Sequence, residues 1–296
     1  MSSDFAIPVD SLKLASALNR ARAYLLERQS PSGGFCFYRG YYAEEPNLSD
    51  TWHAIAVLIG LLGVDLPEKN SHASFVIGQP IAPQPLLLYY RVRTLLALGA
   101  DDPQSAEVRS AVEALQAHFP DIATHASLSA ALQRVRCTVW LKRHFELPTA
   151  LDDLALALLR GEHEGGGYGI PPNLLDTEAA IAVLMLCGHA PPPRTGDFVN
   201  RMAVAGFGFR LTAGSLSPNL ETVCAGIRSC CRLGMPIPHA RDAMAYVLSC
   251  QTGNGGFARA SGALPDITLT HLALTTLARQ LAPLSMKDMI PAVCDA

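Results

Sequence analysis

The sequence predicts an all-α fold of six helix pairs closed into a ring, and three observations carry that prediction. First, a loop-to-helix junction recurs as PNLSDTWHAIAVL (46–58), PNLLDTEAAIAVL (172–184), PNLETVCAGIRSC (218–230) and PDITLTHLALTTL (265–277). Second, aligning Thr51, Thr177, Thr222 and Thr270, with weaker copies at 85–103 and 128–148, puts the junctions near 51, 87, 132, 177, 222 and 270. The steps between them are 36, 45, 45, 45 and 48 residues, a period expected of a repeat architecture. Third, neither the first nor the last pair is more polar than the middle ones, as the capped ends of an open stack would be.

Taken in order, amphipathic segments alternate with the junction helices. Leu12–Gln29, Ala106–Phe119, Leu151–Arg160 and Ala240–Gln251 carry apolar residues at i, i+3, i+4 and i+7 and a polar face bearing Arg20, Glu27, Glu107 or Arg241. They are expected to form an outer layer. The junction helices are apolar on nearly all sides and are expected inside it. Between layers the chain writes Gln29 to Phe35 as QSPSGGF and Gln251 to Phe257 as QTGNGGF, a Gly-Gly reversal without steric cost at positive φ, followed by an aromatic that packs the turn. These two clearest copies stand at opposite ends of the sequence. In a ring, the first and last pairs become neighbours. No sheet is expected, and residues 1–296 read as a single domain.

Composition narrows the function. A formal net charge of -3 and a charged fraction of 17% give no bulk electrostatic case for nucleic acid or an anionic membrane. Apolar runs such as Ile55–Val64 fall short of the roughly 20 residues of a membrane span, and MSSDFAIPVDSLKLAS lacks a basic segment followed by an apolar one, so a cytoplasmic address is expected. The eight cysteines are scattered through apolar stretches with no CxxC pair, as buried reduced thiols would be.

QxxxGGF, a loop and a Thr-initiated apolar helix, repeated around six pairs, resemble the superfamily of protein prenyltransferase β subunits and terpenoid cyclases of the squalene-hopene cyclase type. The resemblance implies an α/α toroid that takes an isoprenoid diphosphate or polyprene into an apolar funnel, with chemistry at its mouth. It also implies site residues, and most are missing. Prenyltransferases hold zinc with an Asp-x-Cys at the fifth inner helix and a His just before the Thr of the last. Here those places hold Pro218, Leu220 and Leu269. A zinc site built from Cys224, His271 and an acid is not expected; no cofactor is, beyond a divalent metal accompanying a diphosphate substrate. Class II cyclases carry Asp-x-Asp-Asp-Thr with the middle Asp as acid, and here Ser49 and Leu175 stand at that position.

What remains are candidates. Asp50, Asp176 and Glu221 each precede a junction Thr; three acids around one mouth suit a general acid or a metal, whereas a single acid there is also an ordinary partner for a helix N-terminus. Arg39, Arg210 and Arg259 lie in the loops where the resemblance places diphosphate-holding cations. Trp52, His53 and Tyr89, with Tyr90, Trp140, Phe207 and Phe209, offer an aromatic wall for an allyl cation, or ordinary core. Arg91, Arg93, Arg134 and Arg136 sit inside apolar helices, where a charge needs a partner. The expected function is an isoprenoid-binding enzyme that cyclises or transfers a prenyl group without the zinc triad. One alternative is a non-catalytic isoprenoid-binding or partner subunit, meeting a helical partner chain. The other is a carbohydrate-active (α/α)6 enzyme with paired carboxylates, against which the GGF and Asp-Thr repeats argue.

Overall fold

The structure, a computed structural model, describes residues 11–37, 44–100, 105–115, 128–149 and 151–281. Twelve α-helices stand among them. The junction helices are α2 (Leu48–Ile55), α4 (Pro85–Leu98), α6 (Leu128–His144), α8 (Leu174–Leu186), α10 (Leu220–Leu233) and α12 (Ile267–Leu281). Between them lie α1 (Ser11–Leu26), α3 (Lys69–Ile77), α5 (Ala106–Glu113), α7 (Asp152–Arg160), α9 (Pro193–Arg201) and α11 (Ala240–Ser249). The alternation is the one expected. In α8 nearly every residue from Leu174 to Leu184 is buried, whereas α7 buries only Leu154, Ala155 and Leu158. The apolar spacing did not single out α3 or α9. Their buried residues mix polar and apolar types, His72 and Val76 on α3 and Thr195, Gly196, Phe198 and Val199 on α9. Helix α2 does not end at Ile55 but widens into a π-helical turn over Ala56–Leu61.

The expectation of no sheet needs correction. Ala203–Val204 pair with Gly208–Phe209, and Phe257–Ala258 with Pro265–Asp266, as two antiparallel ladders of two residues each. Single bridges join Gln29 to Phe35, Tyr168 to Asn173 and Gln251 to Phe257. The cause is local chain reversal: the turn at 205–207 and the loop at 259–264 each bring their two arms within ladder distance, and the backbone groups pair.

The chain divides into two compact units. One comprises the described parts of 117–136 and 149–250, and the other those of 10–116, 137–148 and 251–296. In the second unit α12 packs on α2 and on α1, so the first and last pairs are neighbours. The glycine turn makes the join. Gly255 (φ +95) lies against the carbonyl of Arg20, and Gly256 against the ring of Tyr24; a Cβ on either would overlap α1. Gln251 Nε2 donates to the carbonyls of Ala17 and Gly255 at 2.8 Å each, which ties the turn to the helix beneath it. The first turn repeats this on α3, with Gly33 against the Ser71 carbonyl and Gly34 against Phe75. In the other unit Gly166 and Gly167 meet Arg194 and Phe198 of α9. Each turn thus clamps an i, i+4 pair, a carbonyl and then an aromatic, on an odd-numbered helix. In the fifth repeat the second member is Ala243, met by Gly208, and Phe207 takes the place of the first glycine.

Candidate functional site

The junction motif is a helix N-cap tied to the glycine turn. Asn47 accepts the N–H of Asp50 at 2.9 Å. Thr51 Oγ1 donates to the Asn47 carbonyl at 2.6 Å and accepts from Phe35 N–H at 3.0 Å. Asn173, Thr177 and Tyr168 repeat this set at 3.0, 2.7 and 3.0 Å, and Asp266, Thr270 and Phe257 do so in the last repeat. The strong recurrence of Asn and Thr therefore has a structural origin: it satisfies helix-end donors.

Cap geometry also resets one alignment. Asn219 accepts from Thr222 N–H at 2.8 Å, so Thr222, not Glu221, stands where Asp50 and Asp176 stand. The fifth repeat is one residue shorter between Asn and Thr, and aligning on Thr hides this. Glu221 falls at the place of Ser49 and Leu175, about 100° further round the helix, and is half-buried.

The acids have different surroundings. Asp176, in the first unit, is 6% exposed; its Oδ1 accepts the backbone N–H of Ser129 and its Oδ2 accepts from Asn173 Nδ2, both at 2.7 Å. Asp176 therefore caps the start of α6 as well as sitting at the start of α8. Asp50, in the second unit, accepts from Asn47 Nδ2 at 2.7 Å. Burial raises its pKa, against hydrogen bonds from Asn47 and the Phe37 backbone and the charge of Arg28.

Trp52, His53, Tyr89, Tyr90 and Trp140 converge in the second unit, whereas Phe207 and Phe209 belong to the first, where the Phe209 ring lies against Gly226. Trp52 and Tyr89 meet edge to face with centroids 5.9 Å apart, and Tyr89 meets Trp140 likewise at 5.2 Å. The guanidinium of Arg93 lies 4.9 Å from the Trp52 ring, 4.9 Å from Trp140 and 5.6 Å from Tyr89. Arg93 is thus a buried cation walled by three π faces. His144 stacks on Trp140 with an interplanar angle of 5°, and burial, aided by Arg93, lowers its pKa. His53 donates from Nδ1 to the Ser49 carbonyl at 2.8 Å and packs against Tyr90 and His271 at 5.3 and 5.0 Å. Burial pushes it down to about 4, so at neutral pH the ring is uncharged, with its proton on Nδ1 and a lone pair on Nε2. Most of this wall also belongs to one buried apolar cluster.

Of the other expected cations, two are described. Arg210 donates to the Arg201 carbonyl at 3.3 Å, at the C-terminal end of α9. Arg259 is exposed, between the two strands of the last ladder, and Arg39 lies outside the described residues. Arg91 and Arg93, two apart, point to different neighbours: Arg91 donates to the carbonyls of Val76, Ile77 and Gln79 at 2.9 to 3.1 Å and so caps α3. Among the described residues no three His, Cys, Asp or Glu side chains group as a metal site would require. Leu269 stands before Thr270, and Thr222 takes the capped position of the fifth repeat. Among the described residues no helix is long and apolar enough to cross a membrane.

Glu178 belongs to no motif in the sequence, and in the first unit it anchors a cluster of arginines. Its carboxylate is ion-paired to Arg232 and, at 3.1 Å, to Arg228. Against the cost of burial, Arg228, Arg232 and Arg136 hold it down at about 2. The signal was present in the i, i+4 spacing of Arg228 and Arg232 on an apolar helix, but nothing local pairs them with α8.

The helix alternation, capped junctions and glycine turns define an α/α toroid. Residues 228–294 match the family model of the prenyltransferase alpha-alpha toroid domain. Among solved structures, Candida albicans protein geranylgeranyltransferase-I complexed with GGPP is similar at a TM-score of 0.60 and 14% identity, over 88% of this chain and 90% of that one. The type II terpene cyclase MstE from Scytonema, in its apo form, is similar at 0.55 and 14%, over 92% and 99%. A search of curated proteins gives no match. The fold is therefore the one shared by prenyltransferases and terpene cyclases.

Proposed function

We propose that this protein binds an isoprenoid diphosphate and cyclises or transfers its prenyl group. The observation that supports this reading is the wall of Trp52, Tyr89 and Trp140 around Arg93: π faces suit a prenyl chain and its allylic cation, and a fixed guanidinium suits an anionic leaving group. Both similar structures belong to proteins of that chemistry by name, one of them with GGPP bound. His53, neutral and with a free Nε2 lone pair, can accept a proton from a cationic intermediate. Asp50, its pKa raised by burial, is the acid better placed to donate one. Zinc carries no step; a divalent metal would enter only with the diphosphate.

The test is incubation of the purified protein with farnesyl and geranylgeranyl diphosphate, with and without magnesium, reading binding and products. Saturable binding weakened about tenfold by Trp52→Ala, with a new product, is expected. No binding of either diphosphate overturns the reading. A second reading, a non-catalytic isoprenoid-binding or partner subunit, is favoured by Asp176, whose two carboxylate oxygens are both spent on capping. Binding without turnover, and co-purification with a helical partner chain, would select it.

A further inference from the structure

We propose that Arg228 and Arg232 of α10, organised by Glu178 of α8, form a binding site for a phosphoryl dianion, inorganic phosphate or diphosphate. Glu178 is the buried anchor, its side chain 7% exposed. Arg228 reaches it through Nε and Arg232 through Nη1, and both converge on the same atom, Oε1.

One carboxylate oxygen thus faces two guanidiniums, and the field of Arg136 also acts there. Each guanidinium has five N–H donors in a rigid fork. Among the described residues the Arg228 and Arg232 forks have no acceptor besides Glu178, and Arg228 Nε, though close to Oε1, is buried without an in-line hydrogen bond. Positive charge in an interior needs a counter-anion with matching acceptors. The side chains are 24% and 12% exposed, so solvent still reaches Arg228 and a small anion can enter.

The chemistry selects the ligand class. A monocarboxylate would duplicate Glu178 and leave most donors of the two forks without acceptors. A phosphoryl group carries about two negative charges and three equatorial oxygens, and meets guanidiniums through paired N–H···O contacts. Glu178 acts as a positioning residue: with a pKa held at about 2 it stays ionised and holds both forks in one place. The site lies wholly in the first unit and does not depend on which apolar ligand meets the aromatic wall in the second.

Calorimetric titration of the whole protein with inorganic phosphate, with pyrophosphate and with sodium acetate reads the site directly, and pyrophosphate against farnesyl diphosphate separates a free anion from a lipid head group. Saturable phosphate or pyrophosphate binding is expected, without acetate binding, and weakened about tenfold or more in Arg228→Gln and again in Arg232→Gln. Glu178→Gln tests the positioning role. It removes a competing negative charge but releases both forks from their shared anchor, so affinity should fall in spite of the charge change, and affinity kept or raised overturns the positioning role. Absence of saturable binding in the wild type, or equal affinity in a folded Arg228→Gln variant, overturns the proposal and leaves an ion-pair network that only joins helices.

Discussion

Asp176 Oδ1 accepts the backbone N–H of Ser129 at 2.7 Å, across 47 residues. A carboxylate at the start of α8 therefore completes the start of α6, and Asn173 engages its other oxygen. Asp176→Ala leaves the Ser129 backbone N–H without an acceptor and Asn173 Nδ2 with the Pro171 carbonyl alone, and should cost about 1–3 kcal/mol in denaturant unfolding. Reduced stability with product formation scaling only with the folded fraction is the expected pattern. Lost turnover at unchanged stability would instead make Asp176 the acid of the reaction.

The clamp of the last turn on α1 makes a second measurement decisive. Gly255→Ala forces a Cβ into the Arg20 carbonyl at a φ of +95, so destabilisation of about 2–4 kcal/mol is expected. Gly253, four residues after Ser249 on the same turn, has nothing within 4 Å of a Cβ, and its alanine variant should melt close to the wild type. Equal melting of the two variants would mean that the turn does not bind α1 in solution.

Acid stability should show two windows. His53 is held at about 4 in the fold, against 6.5 unfolded; the unfolded chain then binds the extra proton, so stability falls as pH drops from about 6.5 towards 4. Glu178, held at about 2 against 4.5, contributes stability present above pH 4.5 and lost as pH falls towards 2, on the order of a few kcal/mol. Unfolding free energies across this range should show a shallower upper slope in His53→Asn, the remainder coming from His72 and His144, which burial also lowers, and a shallower lower slope in Glu178→Gln. An unchanged profile in either variant would assign that slope to other groups.

Arg91 offers a test of shape rather than charge. Its fork reaches three carbonyls at the end of α3, which a lysine ammonium cannot match in one geometry. Arg91→Lys should lower stability by about 1–3 kcal/mol despite the conserved charge. Hydrogen exchange of the last turn of α3 should accelerate. Unaltered exchange there would show that the cap is not formed.

Much of the fold was legible because its signals are local. Asn47 and Thr51, or Asn173 and Thr177, are four residues apart and make their cap within one turn, so sequence spacing reports it. Helices α3 and α9 escaped because the glycine turns meet them through the backbone carbonyls of Ser71 and Arg194 and the rings of Phe75 and Phe198, and a carbonyl contact leaves no mark in an apolar stripe. The fifth junction misled for a related reason: matching threonines by name placed Glu221 beside Asp50 and Asp176, whereas the cap accepted by Asn219 puts Thr222 there.

By itself the sequence determined the alternation of helices, the turn at each Gly-Gly pair and the aromatic identity of Trp52, Tyr89 and Trp140, since each follows from residues within a few positions of one another. Only the tertiary structure decided which groups meet: Gly255 with Arg20, Asp176 with Ser129, Arg93 with its three rings, and Glu178 with Arg228 and Arg232. The physical reason is that helix periodicity sets the direction of a side chain relative to its own axis and says nothing about the neighbour across the interface. Arg91 and Arg93 illustrate the division. Two residues apart, they diverge by about 200° around α4, and packing alone sent one to cap α3 and the other into the aromatic wall.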